Sequence, residues 1–85
     1  MKGFKIQIIK SKLYSYWYAS CIENVYWAVL HERNDGCQYD YEIIEEGECK
    51  PEGQAKRYVD FEDCVVIKEC YLSIIETKSI KIIEL

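Results

Sequence analysis

Acidic side chains dominate the middle of the chain, and they are the residues best suited to recognise another molecule. Residues 31–52 carry eight acidic and two basic residues, whereas residues 1–14 carry four lysines and no acid. Carboxylates spaced along a β-hairpin attract lysine and arginine side chains and compete with phosphates for them. Neighbouring tyrosine and tryptophan side chains supply large anchors that lose little entropy on binding. This pattern indicates a surface that binds a basic protein.

We predict that this surface extends from Tyr39 to Glu52 and includes one tryptophan of the preceding strand. The predicted partner-binding residues are Trp27, Tyr39, Asp40, Tyr41, Glu42, Glu45, Glu46, Glu48 and Glu52. The alternative is that these carboxylates only form a solvated face, attracted to the basic first strand.

Two further interpretations use other parts of the chain. Lysines and aromatic residues alternate near the N-terminus, which suits the stacking and charge of a small nucleic-acid-binding module. That module would use Lys5, Lys10, Lys12, Tyr16 and Trp17. The net charge of -4 disfavours it, because phosphate backbones repel an acidic protein. A homodimer formed through an exposed edge strand or aromatic face is the third interpretation.

Enzymatic activity has little support in the sequence. His31 is the single histidine, and a hairpin register that places it opposite Asp40 would stabilise its charged form without making it a catalyst. Glu45 and Glu46 are adjacent, so on a strand they point to opposite faces and cannot form a catalytic carboxylate pair. No nucleophile elbow or phosphate-binding glycine loop occurs. We therefore expect no enzyme activity, no catalytic residues and no cofactor.

Most of the five cysteines are predicted to be buried thiols, and Cys37 and Cys49 lie in turn-like segments that would leave them partly exposed. Cys21, Cys37, Cys49, Cys64 and Cys70 include no C-x-x-C pair, so we predict neither a metal site nor a disulfide framework. Charges interrupt the N-terminal segment every few residues, which excludes a signal peptide or membrane anchor there. The sequence therefore predicts a cytoplasmic protein without membrane contact.

Length and composition are those of a folded single domain. The chain has 85 residues, of which 49% are hydrophobic and 31% charged, with one proline. One modest core fits this length, so we predict a single domain over residues 1–85. The twelve aromatic residues must supply much of its packing.

Alternating apolar residues predict the first strands. Residues 3–10 and 13–18 are expected to be strands, and Val25 to Glu46 a hairpin around Asn34-Asp35-Gly36. A two-residue loop at Asp35-Gly36 pairs residues whose numbers sum to 71, which places Leu30 opposite Tyr41. Residues 47–54 read as a loop.

The second half predicts a helix and a final strand. Asp60 is suited to cap a helix that runs to Glu76, in which Phe61, Cys64, Ile67, Tyr71 and Ile74 form an apolar stripe. A strand is the alternative, because Val65, Val66 and Ile67 are β-branched. Residues 79–85 predict a last strand that pairs with the first. The expected fold is α+β, in the order ββββαβ, with one helix on a sheet of four to five strands.

In general character the chain resembles the small inhibitors that bacteriophages use against bacterial immunity, including anti-CRISPR proteins. The resemblance lies in the short length, the acidic segment Tyr39 to Glu46, the predicted sheet with one helix and the lack of a catalytic motif. It implies a non-enzymatic inhibitor that acts in the bacterial host cytoplasm. Its partner would be a CRISPR effector or other nuclease complex, whose basic nucleic-acid or partner site it would occlude.

Overall fold

Strands account for nearly all of the regular structure. The computed structural model describes residues 1–32, 38–48, 57–74 and 79–84, with only the backbone of Gly47, Glu48 and Ile74. Within these ranges there are seven strands and a single 3₁₀ turn, and there is no α-helix. The elements are β1 (Lys2–Ile8), β2 (Val25–Glu32), β3 (Tyr39–Ile44), β4 (Gly47–Glu48), β5 (Tyr58–Asp60), the turn Phe61–Asp63, β6 (Cys64–Ile74) and β7 (Ser79–Glu84).

All seven strands belong to one antiparallel sheet that must curl strongly. Its order is β4-β7-β6-β1-β2-β3-β5. In a flat sheet about five strand spacings, or roughly 24 Å, would separate β3 from β4. Only Glu45 and Glu46 connect these strands, and so short a connection spans about 10 Å at most. Accordingly Glu46 Oε2 reaches β7, where it accepts a 3.2 Å hydrogen bond from the Ile82 amide.

The predicted hairpin register is confirmed. The residue numbers of every pair between β2 and β3 sum to 71, from the pair Trp27 and Ile44 to the pair Glu32 and Tyr39. The turn Asn34-Asp35-Gly36 lies outside the described residues. Strict alternation fixed this register, because a slip by one residue would turn Ala28 and its neighbours away from the core.

The predicted helix is wrong, and with it the α+β class: this is an all-β fold. Asp60 does cap a turn, accepting a 3.0 Å hydrogen bond from the Glu62 amide, but the helical conformation stops after Asp63. From Cys64 onward the chain pairs with β1 on one side and β7 on the other. Ile67 and Tyr71, members of the predicted apolar stripe, are 49% and 51% exposed. The segment forms a strand because it pairs with neighbours along both edges and contains β-branched residues. These effects outweigh the helical three-to-four-residue spacing of its apolar residues.

The second predicted strand, residues 13–18, is also wrong. Successive turns replace it, with hydrogen bonds from the amides of Tyr16 to Leu13 O, Ala19 to Tyr16 O and Cys21 to Tyr18 O. We call residues 9–24 the aromatic segment. Its two ends meet where the Glu23 amide bonds to Ile8 O and the Ile8 amide to Asn24 O. This segment takes the place of the predicted helix as the cover of the sheet.

The larger cluster of buried residues lies between the aromatic segment and one face of the sheet, and Cys70 and Leu72 are buried on the other face. Tyr18 packs in the larger cluster on fully buried sheet residues. Alternation along the strands defines this front face, which includes Phe4, Ile6, Ile8, Ala28 and Val59, and a back face, which includes Gly3, Lys5, Trp27 and Cys70.

The last predicted strand is confirmed as β7, but its predicted partner is not. β7 pairs with β6 and β4, and β6 separates it from β1. The predicted loop at residues 47–54 begins with the short strand β4, and residues 49–56 lie outside the described residues. The single domain over residues 1–85 stays a prediction.

Candidate binding cleft beside strand β5

A cleft of about 330 Å³ lies where the aromatic segment meets the edge strand β5. Its lining combines aromatic rings with two carboxylates and a hydroxyl group. The lining residues are Ser15, Tyr16, Trp17, Tyr18, Asp40, Tyr58 and Asp60. We refer to it as the acidic aromatic cleft.

Buried Asp63 holds the aromatic wall of the cleft in place. Its side chain is fully buried, and Oδ2 accepts a 2.6 Å hydrogen bond from Tyr18 Oη and a 3.3 Å bond from the Lys12 amide. Its carbonyl oxygen accepts bonds from the amides of Ile9 and Lys10 at 2.9 and 3.3 Å. Burial, followed by the bond to Asp63, raises the pKa of Tyr18 well above its ordinary value of 10. Tyr18 therefore stays a neutral hydrogen-bond donor at neutral pH.

The two carboxylates of the cleft face each other across neighbouring strands. Asp40 on β3 is paired in register with Asp60 on β5, and His31 on β2 is paired with Asp40 on the other side. Like charges directly opposite each other in a sheet are unfavourable, so the pair favours a nearby cation. Lys12 supplies one, with Nζ 3.3 Å from Asp60 Oδ2 and 2.8 Å from Glu62 Oε2. Asp40 and Asp60 each make at least one further interaction within the chain.

Interactions between rings and with the backbone fix the aromatic side of the cleft. Trp17 Nε1 donates a 2.8 Å hydrogen bond to Tyr58 O, which ties the aromatic segment to β5. The ring of Tyr18 lies 5.5 Å from Trp17 and 5.4 Å from Tyr16. The Arg57 guanidinium lies 4.8 Å from the centre of the Trp17 ring. Trp17 therefore already accepts a guanidinium group by a cation–π interaction.

This combination of groups suits a basic side chain. A carboxylate accepts two parallel hydrogen bonds from a guanidinium group, and aromatic rings attract its delocalised charge. A volume of about 330 Å³ is at the lower end of the range for ligand sites, which suits one side chain better than a large molecule.

The structure divides the predicted partner-binding residues between the two faces of the sheet. Tyr39 and Tyr41 lie on the front face, with their ring centres 6.4 and 4.5 Å from Phe61. Asp40 and Glu42 lie on the back face, and Asp40 alone of the predicted set lines the cleft.

The remaining members of that set lie further apart. Trp27 lies on the back face beneath the ammonium groups of Lys5 and Lys68, at 5.2 and 6.0 Å. Glu45 pairs with Arg57 at 3.2 Å, and Glu46 bonds to β7. The side chain of Glu48 and all of Glu52 lie outside the described residues.

The structure brings together only part of the set predicted to bind nucleic acid: Lys12 contacts Asp60, which lines the cleft with Tyr16 and Trp17. Lys5 lies on the back face, whereas Tyr16 and Trp17 pack against the core on the front. Lys12 is engaged by Asp60 and Glu62, and hydrogen bonding to Glu62 raises the pKa of its ammonium group.

Part of the cleft is not predictable from the sequence. The sequence predicts Asp60 only as a helix cap and indicates no role for Ser15 or Tyr58. The aromatic run Tyr16-Trp17-Tyr18 is recognisable in the sequence as a possible binding surface. The residues that complete the cleft, on β3 and β5, are more than 20 positions away, so the sequence does not show that they meet it.

Two of the three described cysteines are buried, and Cys21 is partly buried. Cys64 and Cys70 are buried, and burial raises the pKa of both thiols, that of Cys64 to about 12. Within the described ranges, no group of three or more histidine, cysteine, aspartate or glutamate side chains could hold a metal ion. A helix with the length and apolar character needed to cross a membrane is absent from that part of the chain.

Comparisons with protein-family models, with curated proteins and with solved structures gave no match.

Proposed function

We propose that this chain is a non-enzymatic protein-binding domain that takes a basic side chain of its partner into the acidic aromatic cleft. The observation that carries the proposal is the register pair of Asp40 and Asp60 beside the rings of Trp17 and Tyr18. Two carboxylates in register and an aromatic wall supply the charge and the stacking surface that a guanidinium group uses.

Binding would proceed by exchange of cations. Lys12 contacts both Asp60 and Glu62, and the shorter distance, 2.8 Å, is to Glu62. A partner arginine that reaches Asp60 would leave Lys12 on Glu62, so that no carboxylate loses its counter-charge. This exchange avoids the cost of leaving a charge partly buried and unpaired.

The narrower form of the proposal follows from the resemblance to phage inhibitors. The partner would be a CRISPR effector or another nuclease complex, and the host cytoplasm would be the compartment. An arginine or lysine held in the cleft could not hold a phosphate at the same time, so the domain would compete with nucleic acid for that residue.

Affinity capture from a bacterial lysate tests this proposal when matched variants are used. Asp40→Asn removes one charge of the cleft, and Glu32→Gln removes one exposed charge of the same hairpin outside it. We expect a captured protein to be lost with Asp40→Asn and retained with Glu32→Gln. Equal capture by both variants would reject the cleft as the binding site.

An electrophoretic shift with single-stranded RNA and DNA at two salt concentrations tests the alternative function. The proposed function requires no binding in this assay. Salt-sensitive binding that is lost on replacing Lys5, Lys10 or Lys12 would favour the nucleic-acid-binding module instead.

A further inference from the structure

A β-bulge in β6 decides which side chain lies opposite Lys5 on the back face. Ile6 on β1 is paired with Val66 on β6. Unbroken pairing would put Ile67 opposite Lys5, but the register shifts at this point and Lys68 takes that place. Ile67 is the extra residue of the bulge and is 49% exposed. Bulges are frequent beside functional sites, where they re-aim a side chain. This bulge gives Lys5 a second lysine as its direct neighbour, and we call Lys5 and Lys68 the lysine pair.

The lysine pair has too little negative charge around it. Like charges directly opposite each other in a sheet are unfavourable, so the pair favours a nearby anion. Lys68 Nζ lies 2.9 Å from Glu84 Oε2, and hydrogen bonding to Lys68 lowers the pKa of that carboxyl group. Lys5 forms no ion pair with any described residue, and its ammonium group lies 5.2 Å from the centre of the Trp27 ring. One carboxylate therefore serves two ammonium groups.

The surroundings of the lysine pair are open and contain a further hydrogen-bond donor. Trp27 on β2 is paired in register with Lys5, so it belongs to the same row of the back face. Its indole N–H donates to no described residue and is not buried. In the next row of the back face Val65 and Val25 are 44% and 40% exposed. A ligand can therefore reach the pair from that side.

We propose that the lysine pair binds the phosphate group of a phosphate monoester. Such a group carries about −1.5 to −2 charges at pH 7 and three acceptor oxygens, which match two ammonium groups and one indole N–H. A phosphodiester of a nucleic-acid backbone carries a single charge and matches this set less well. The organic part of the ester, a phenol ring or a nucleoside, would contact the exposed side chains of Val25 and Val65.

Glu84 acts as an internal competitor for the phosphate group. Its side chain is 55% exposed, so a phosphate that takes its place on Lys68 returns the carboxylate to solvent and buries no unpaired charge. The lysine pair lies on β1 and β6, whereas the acidic aromatic cleft lies beside β5. The chain can therefore hold a phosphate group and a basic side chain at the same time.

NMR titration with phenyl phosphate and with adenosine 5′-monophosphate tests the site and identifies the organic group. We expect a saturable shift of the Trp27 indole N–H, with Kd in the millimolar range, and no shift of the Trp17 indole N–H. Tighter binding of phenyl phosphate favours a phosphorylated tyrosine side chain as the source, and tighter binding of the nucleotide favours a free nucleotide. Methyl phenyl phosphate, a diester with one charge, should bind at least about five-fold more weakly than phenyl phosphate. Absence of a Trp27 shift with both monoesters, or equal binding of the diester, would overturn the proposal.

Matched charge variants separate the lysine pair from the overall charge of the chain. Lys68→Gln removes one positive charge from the pair, and Lys81→Gln removes one from an exposed position on the front face of β7. Binding of phenyl phosphate should weaken at least about ten-fold with Lys68→Gln and less than about two-fold with Lys81→Gln. Glu84→Gln removes the competing carboxylate and should tighten binding about three-fold. Equal effects of the two lysine variants, or weaker binding by Glu84→Gln, would contradict the assignment.

Discussion

Tyr18 and Asp63, 45 residues apart in the sequence, are joined in the core by a 2.6 Å hydrogen bond from the phenol to Oδ2. Asp63 is fully buried and Tyr18 is 2% exposed. This bond and three backbone amides directed at Asp63 attach the aromatic segment to the turn that precedes β6. The wall of the acidic aromatic cleft therefore depends on a carboxylate that does not line it.

A double-mutant cycle should show strong coupling between these two residues. Tyr18→Phe should cost about 2 kcal/mol, because hydrogen bonds to charged groups contribute about 1.5–3 kcal/mol. Asp63→Ala should cost more, since it leaves two donors without an acceptor. Urea unfolding of both single variants and the double variant measures the coupling. Asp63→Asn keeps a hydrogen-bond acceptor and should destabilise the fold less than Asp63→Ala does. If the costs of Tyr18→Phe and Asp63→Ala simply add in the double variant, the described hydrogen bond is contradicted.

Alkaline pH should destabilise the fold through Tyr18. Its pKa is raised above 10 in the folded chain, so at higher pH the unfolded state loses this proton first. The stabilisation is complete below pH 10 and declines as the pH rises above that value. Tyr18→Phe lacks this group and should show a shallower decline of Tm between about pH 9 and about pH 11. Parallel curves for the two proteins would show that Tyr18 ionises equally easily in both states.

Gly3→Ala should destabilise the sheet by about 1–3 kcal/mol, as expected for overpacking. A Cβ atom at Gly3 would lie 2.9 Å from Cys70 Sγ and 3.1 Å from Leu72 Cγ. Both neighbours are buried, so neither can move freely. Chemical denaturation measures the effect, and the double variant with Cys70→Ala should recover part of it. A neutral Gly3→Ala substitution would mean that β1 and β6 are further apart than described.

Strict alternation made much of the sheet predictable. The N-terminal strand, the hairpin and its register, and the last strand all follow from apolar residues at every second position of each strand. The cap at Asp60 was also predictable, but a cap marks only where a turn begins.

Where the sequence pattern is ambiguous, long-range strand pairing determines the conformation. Residues 64–74 carry apolar residues at helical three- and four-residue steps and also a β-branched run typical of a strand. Pairing with β1 on one side and β7 on the other selects the strand. Residues 13–18 have β-prone side chains, but the rings of Tyr16, Trp17 and Tyr18 cover the sheet. The candidate site was missed for the same reason, because Asp60 reaches Asp40 only through the pairing of β3 with β5.

The proposal that a basic side chain enters the acidic aromatic cleft is tested most directly by NMR titration of the chain with an acetylated Gly-Arg-Gly amide. The indole N–H of Trp17, which donates to Tyr58 O, reports on the cleft, and that of Trp27 on the back face is an internal control. We predict a saturable shift of the Trp17 signal alone, with Kd in the millimolar range, about −4 kcal/mol. The same peptide with citrulline in place of arginine, or the Asp40→Asn variant, should bind at least about ten-fold more weakly. Equal shifts with arginine and citrulline, or a shift confined to Trp27, would contradict the account.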